Sequence, residues 1–188
     1  RSVSRGLGDV YKRQAHIRPG DLLVVSFGHN DANRAKAERY VPADAFGESL
    51  RPFWDAARSH GAVCLFASPV AMREFDEAGV CHPSFAAYRE AMRAFAAEVG
   101  APFIDLGAAT AAANTAFGAE RCKARYMWVG AKQDNAHQQN AGAAVGLLDT
   151  LDNTVGTWGG KHVAGDSCIE HSLADVARVG RLMAGTSA

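Results

Sequence analysis

Hydrophobic positions along the chain follow two alternating rhythms. Short continuous apolar runs of strand length are separated by stretches in which apolar residues recur every three or four positions, as on one face of a helix. The first run, residues 21–31 (Asp-Leu-Leu-Val-Val-Ser-Phe-Gly-His-Asn-Asp), fits a buried parallel strand that empties into a turn of small and polar groups. Residues 32–40 are polar and read as a surface loop. Residues 43–59 predict a helix with Phe46, Leu50, Phe53, Trp54 and Ala57 on one side and Gly61 just past its end. Pro52 lies in its middle and should kink or split it, because proline removes a backbone donor.

The second strand is expected at residues 62–67, ending at Ser68-Pro69-Val70. A helix follows from Pro83-Ser84 to Val99, with Phe85, Tyr88, Met92, Phe95 and Val99 forming an apolar stripe that reads as core. Residues 102–106 predict a third strand and 108–117 an Ala-rich helix, while 125–130 are more irregular. Strands alternating with helices argue for βαβ units, and hence an α/β fold with a parallel sheet.

Composition narrows the function classes. A chain of 188 residues suffices for one domain, burying roughly 70% of its unfolded surface. Lys plus Arg and Asp plus Glu balance at 20 each, so no charge excess points to nucleic acid or an anionic membrane. No run of 18 or more apolar residues is present. The four cysteines, Cys64, Cys81, Cys122 and Cys168, form no CxxC pair, and Cys64 reads as a core residue. No His/Asp/Glu cluster has the spacing of a catalytic metal site, and no cofactor is expected. Residues 1–14 have no usable period and resemble a translated sequencing-adapter scar, so they are set apart from the fold.

Two polar stretches carry candidate chemistry. Gly28-His29-Asn30-Asp31 follows the first strand at its carboxyl end, where open α/β sheets place their sites. Gly28 permits a sharp turn, His29 can orient or face a substrate, and the Asn30 amide can donate to a developing negative charge. About a hundred residues later, Asp134-Asn135-Ala136-His137 offers an imidazole able to accept and return a proton, with a carboxylate close enough to hold its other nitrogen. The same stretch could be a polar turn before a helix, capped by Asp134 or Asn135. Asp166 and His171 form a second carboxylate and histidine arrival at a terminal helix, ranked behind His137.

Val25-Ser26-Phe27-Gly28-His29-Asn30-Asp31, preceded by Ile17-Arg18-Pro19-Gly20-Asp21, resembles the third conserved block of the SGNH (GDSL-type) hydrolases, in their rhamnogalacturonan acetylesterase-like branch. Asp134-Asn135-Ala136-His137 resembles the fifth block, with Ala136 where the family usually has Thr. The resemblance implies a three-layer α/β/α flavodoxin-like fold and a Ser-His-Asp ester hydrolysis. Asn30, Asp134 and His137 would then be catalytic, with Gly28 and His29 beside the substrate. It also implies an O-acetylated pectic-type polysaccharide as substrate and a secreted or periplasmic location. Two alternatives stay open: another SGNH acylhydrolase, lipase-like or sialate-specific, and a non-catalytic carbohydrate-binding relative.

The family's nucleophile lies in a Gly-Asp-Ser block, and nothing like it precedes Asp21; Gly8-Asp9-Val10 has Val where Ser is needed. Ser26 sits within a strand and makes a poor substitute. The expectation is therefore a partial domain over residues 15–152, without the first two strands and inactive as it stands, with a tail at 153–188 ending in a helix. The strand carrying Val24 and Val25 would expose an apolar edge, a hazard for solubility.

Overall fold

The computed structural model describes residues 17–138. Three short parallel strands stand side by side in chain order: β1 (Leu22–Val25), β2 (Val63–Ala67) and β3 (Phe103–Ile104). Val25 pairs with Phe66, and Phe66 with Phe103, which fixes the register across the sheet. Between β1 and β2 run α1 (Ala43–Ser49) and α2 (Arg51–Ser59). The helix expected over 43–59 is thus split at Leu50, and Pro52 falls in the first turn of α2, where its missing N–H costs no helical bond.

After β2, α3 (Ala86–Val99) returns the chain to β3. It starts later than residue 83 because Phe85 takes a left-handed conformation, φ 58°, at its N-cap. Ser84 Oγ instead accepts the Met72 N–H at 2.9 Å. Asp105, expected within the third strand, caps α4 (Leu106–Phe117) by accepting the Ala108 N–H, so that helix begins two residues before the expected 108. A short α5 (Ala119–Cys122) and a 3₁₀ turn (Lys123–Arg125) lead into an antiparallel hairpin of β4 (Tyr126–Val129) and β5 (Lys132–Gln138).

Alternation along β2 builds a core on both faces of the sheet. Cys64 and Phe66 point to one side, where Val25 of β1, Phe46 of α1, Leu50 between α1 and α2, Ala57 of α2, and Met92 and Phe95 of α3 close over them. Burying each of the larger side chains stabilises the fold by about 1.5–3 kcal/mol. Burial also pushes the Cys64 thiol up to about 12, so it stays a neutral core group. Leu65 and Ala67 point the other way, toward Ile104 and Leu106. The strand β1 is less well covered. Among the described residues it pairs only with β2, and Val24 and Phe27 are 36% and 39% exposed.

Candidate active site

Past Val25 the chain leaves the sheet and turns sharply at Gly28, whose φ of 123° is closed to most side chains. A Cβ built there would lie 2.8 Å from Pro69 Cγ, so only glycine lets the turn press against the end of β2. Both backbone groups of Gly28 are engaged within the turn: its N–H donates to Asp31 Oδ2 and its carbonyl accepts from Ala32, each at 2.9 Å. His29 is half-buried, with Nε2 at 3.1 Å from the Val70 carbonyl and its ring 4.4 Å from that of Phe85. Burial lowers its pKa from 6.5, and the nearby charge of His137 lowers it further, against opposing effects of the Val70 carbonyl and Glu74. Asn30 is exposed; its Oδ1 takes a long 3.4 Å bond from Arg39, which leaves its NH2 as the donating end.

The second half lies on β5. Asp134 Oδ2 is 2.8 Å from His137 Nδ1, while Oδ1 accepts the backbone N–H groups of Ala136 and His137, both at 2.9 Å. Lys132 Nζ approaches Oδ2 at 3.2 Å. These donors, the His137 and Ala136 backbone first, hold the Asp134 carboxyl well below the usual carboxylate range. An ionised carboxylate only accepts, so the His137 nitrogen facing it is the protonated one, and Nε2 carries the lone pair. The two side chains differ in exposure, 16% for Asp134 and 78% for His137. A sheltered acceptor thus holds one side of a ring that is otherwise largely exposed.

The expected alternative of a turn before a helix is corrected in part. Asp134 does make a local turn through its Oδ1, but the segment is a strand paired with β4, with Gln133 opposite Trp128. The small-residue stretch after it, and Asp166 and His171, lie outside the described residues. So do residues 1–14 and the tail at 153–188.

The chain's sequence matches the GDSL-like Lipase/Acylhydrolase family over residues 1–151. It belongs to that family. Among its relatives it is 38% identical over 122 residues to rhamnogalacturonan acetylesterase RhgT of Bacillus subtilis strain 168, a match covering 65% of this chain and 50% of that protein. The probable rhamnogalacturonan acetylesterase YesY of the same organism is 36% identical over 128 residues, covering 68% of this chain and 58% of the relative. The chain therefore spans about half the length of these proteins. Among solved structures, Bacillus subtilis YxiM superposes with a TM-score of 0.63 at 25% identity, over 78% of this chain and 40% of that one. A catalytic mutant of the acetylxylan esterase Axe2 from Geobacillus stearothermophilus gives 0.56 at 17% identity, over 85% and 68%, a likeness of fold.

In this member of the GDSL-like family, residues 70–73 connect the Gly28–Asp31 turn to the β4–β5 hairpin. The Val70 carbonyl accepts from His29 Nε2 at 3.1 Å, Ala71 accepts the Tyr126 hydroxyl at 2.7 Å, and the Arg73 N–H donates to the Asn135 carbonyl at 2.7 Å. From the sequence Asn135 reads only as a possible cap and Arg73 only as part of a loop that matches the family in general character, while Asn114, Tyr126 and Trp128 do not stand out, since these contacts cross up to 62 positions. Ser68 and Asp105 were likewise not singled out. Ser68 is fully buried, donates to Asp105 Oδ1 at 3.0 Å and accepts the Gly107 N–H at 2.8 Å. With Arg89 and Arg93 also on Asp105, this is a polar knot tying β2 to β3 and α3, and its serine faces no solvent. Among the described residues the His137 side chain hydrogen-bonds to Asp134 alone.

Proposed function

We propose that the protein is a carbohydrate acetylesterase that removes O-acetyl groups from a rhamnogalacturonan-type polysaccharide. The observation that carries this reading is the Asp134–His137 pair, a sheltered ionised carboxylate 2.8 Å from an imidazole whose other nitrogen is open. Two relatives named as rhamnogalacturonan acetylesterases support the substrate class. A balanced 20 and 20 of basic and acidic residues suits a polymer whose reacting group is a neutral ester. A polymeric substrate outside the cell accords with export of the protein.

In this reading His137 Nε2 takes the proton from a serine hydroxyl as its oxygen bonds to the acetyl carbon. Asp134 stabilises the resulting imidazolium, and the Asn30 NH2 donates to the tetrahedral oxyanion. The sugar oxygen leaves with the proton from His137; water then attacks the acetyl-serine by the same route, releasing acetate and restoring the serine. None of the described residues brings a serine into hydrogen-bond contact with His137, and the assay takes the protein as its gene encodes it. Acetate release from acetylated rhamnogalacturonan should fall by about 10³-fold or more in His137→Ala and by about 10²-fold in Asn30→Ala. Undiminished release by His137→Ala would overturn the assignment. Binding of the polysaccharide without acetate release would favour a carbohydrate-binding protein instead.

A further inference from the structure

The Asp134–His137 pair rides on a hairpin that is not part of the β1–β2–β3 sheet, so something else must set its position. At its root, the Tyr126 hydroxyl donates to Ala71 and accepts from Asn114 Nδ2 at 2.8 Å. At the end bearing the pair, one side chain meets three segments. Arg73, in the loop after β2, sends Nε and Nη2 to the Ala119 carbonyl at 3.1 and 2.6 Å and Nη1 to Asn135 Oδ1 at 3.2 Å. Its guanidinium lies 4.9 Å from the centre of the Trp128 ring, and Trp128 Nε1 donates to the same Asn135 Oδ1 at 2.9 Å. Its own backbone N–H holds the Asn135 carbonyl at 2.7 Å. Asn135 is the residue next to Asp134, and it is gripped at both its side chain and its backbone.

We propose that Arg73 is a positioning residue for the catalytic base. It fixes Asn135, and through it the Asp134 carboxylate, so that His137 keeps its Nδ1–H toward Asp134 and its Nε2 free. The role depends on the planar fork of arginine: one face lies on Trp128 while separate nitrogens reach Ala119 and Asn135. A lysine ammonium is a compact point charge that offers neither the flat face against Trp128 nor the fixed fork toward Ala119 and Asn135. This inference rests on the acetylesterase reading for its catalytic consequence, but its structural core does not.

The test compares Arg73→Ala, Arg73→Lys and a control, Lys123→Ala. Lys123 lies 4.8 Å from the Trp128 ring and bonds Glu120, with no hydrogen bond to β5. In the 188-residue chain, the ¹⁵N signals of the His137 imidazole report which ring nitrogen is protonated. The Nδ1–H share should fall about twofold or more in both Arg73 variants and stay at the wild-type level in Lys123→Ala. In the protein as its gene encodes it, both Arg73 variants should lose about 10-fold to 10²-fold in kcat with KM within about twofold. If Arg73→Ala does not fold, Asn135→Ala removes only the side-chain grip and should show the same tautomer shift. Wild-type imidazole signals in folded Arg73→Lys and Asn135→Ala would overturn the proposal. An absence of His137-dependent esterase activity in the wild type would defeat the functional reading instead and leave the tautomer result standing.

Discussion

At the exit of β1, the Gly28–Asp31 turn is pinned by close packing: Gly28 abuts Pro69, and His29 lies between the Val70 carbonyl and the Phe85 ring, which borders the main apolar cluster. The β4–β5 hairpin that carries Asp134 and His137 is held mainly by directed polar bonds, those of Tyr126 to Ala71 and Asn114 and those of Arg73 to Asn135 and Ala119. Packing is unforgiving of added volume, whereas a polar clamp fails when one partner is removed. The two halves should therefore break under different kinds of substitution, and this difference can be tested.

The largest effect is expected at Gly28. Gly28→Ala places a methyl group 2.8 Å from Pro69 and forces a side chain into φ 123°, so strain and overpacking together should cost about 3 kcal/mol in urea unfolding. Gly79→Ala, at φ 77° with nothing within 4 Å of its Cβ, is the control and should cost about 1 kcal/mol. Equal losses at both positions would mean that backbone strain, and not contact with Pro69, pins the turn.

In the hairpin, Tyr126→Phe keeps the ring and deletes only the hydroxyl. The Ala71 carbonyl and Asn114 Nδ2 are then left without that partner in a buried place, at a cost of about 2 kcal/mol. A loss near zero would show that the root of the hairpin rests on the Tyr126 ring alone. A third substitution should go the other way. Arg125, just before β4, is 8% exposed, and neither of its terminal nitrogens has a hydrogen-bond partner among the described residues. Its guanidinium lies 4.6 Å from the centre of the Phe117 ring, a contact that offsets only part of the desolvation. Arg125→Met should raise stability by about 1 kcal/mol, read as a higher Tm; a lower one would show that this charge is compensated.

The same contrast explains what was legible in the sequence. Strands β1 and β2 and the stripe of Tyr88, Met92 and Phe95 announce themselves because burial demands continuous or periodic apolar residues. Asp134 and His137 were legible as chemistry but not as strand. Lys-Gln-Asp-Asn-Ala-His-Gln has no β-branched or aromatic residue, and it is a strand because Tyr126–Val129 lies alongside it. Asp105 reads as part of an apolar strand until the Ala108 N–H shows it to be a cap. The pairing of the clamp residues was invisible for a plainer reason. An arginine and an asparagine 62 positions apart leave no local pattern, and their meeting is a product of the fold.

The smallest effect is the one that joins the two halves. His29 has its pKa lowered from 6.5, first by burial and in smaller part by the positive charge of His137. A histidine depressed in the folded state binds protons more weakly there than in the unfolded chain. Its contribution to stability is therefore complete above 6.5 and is lost as pH falls through that value toward the folded pKa. His29→Asn should flatten this part of the Tm-against-pH curve. Removing the neighbouring charge should act in the other direction on the imidazole itself. In His137→Ala, the His29 ring signals should titrate at a higher pH than in the wild type, still below the ordinary value because burial persists. Because the two residues belong to blocks more than a hundred positions apart, an unchanged His29 titration would show that the packed turn and the clamped hairpin do not share a site.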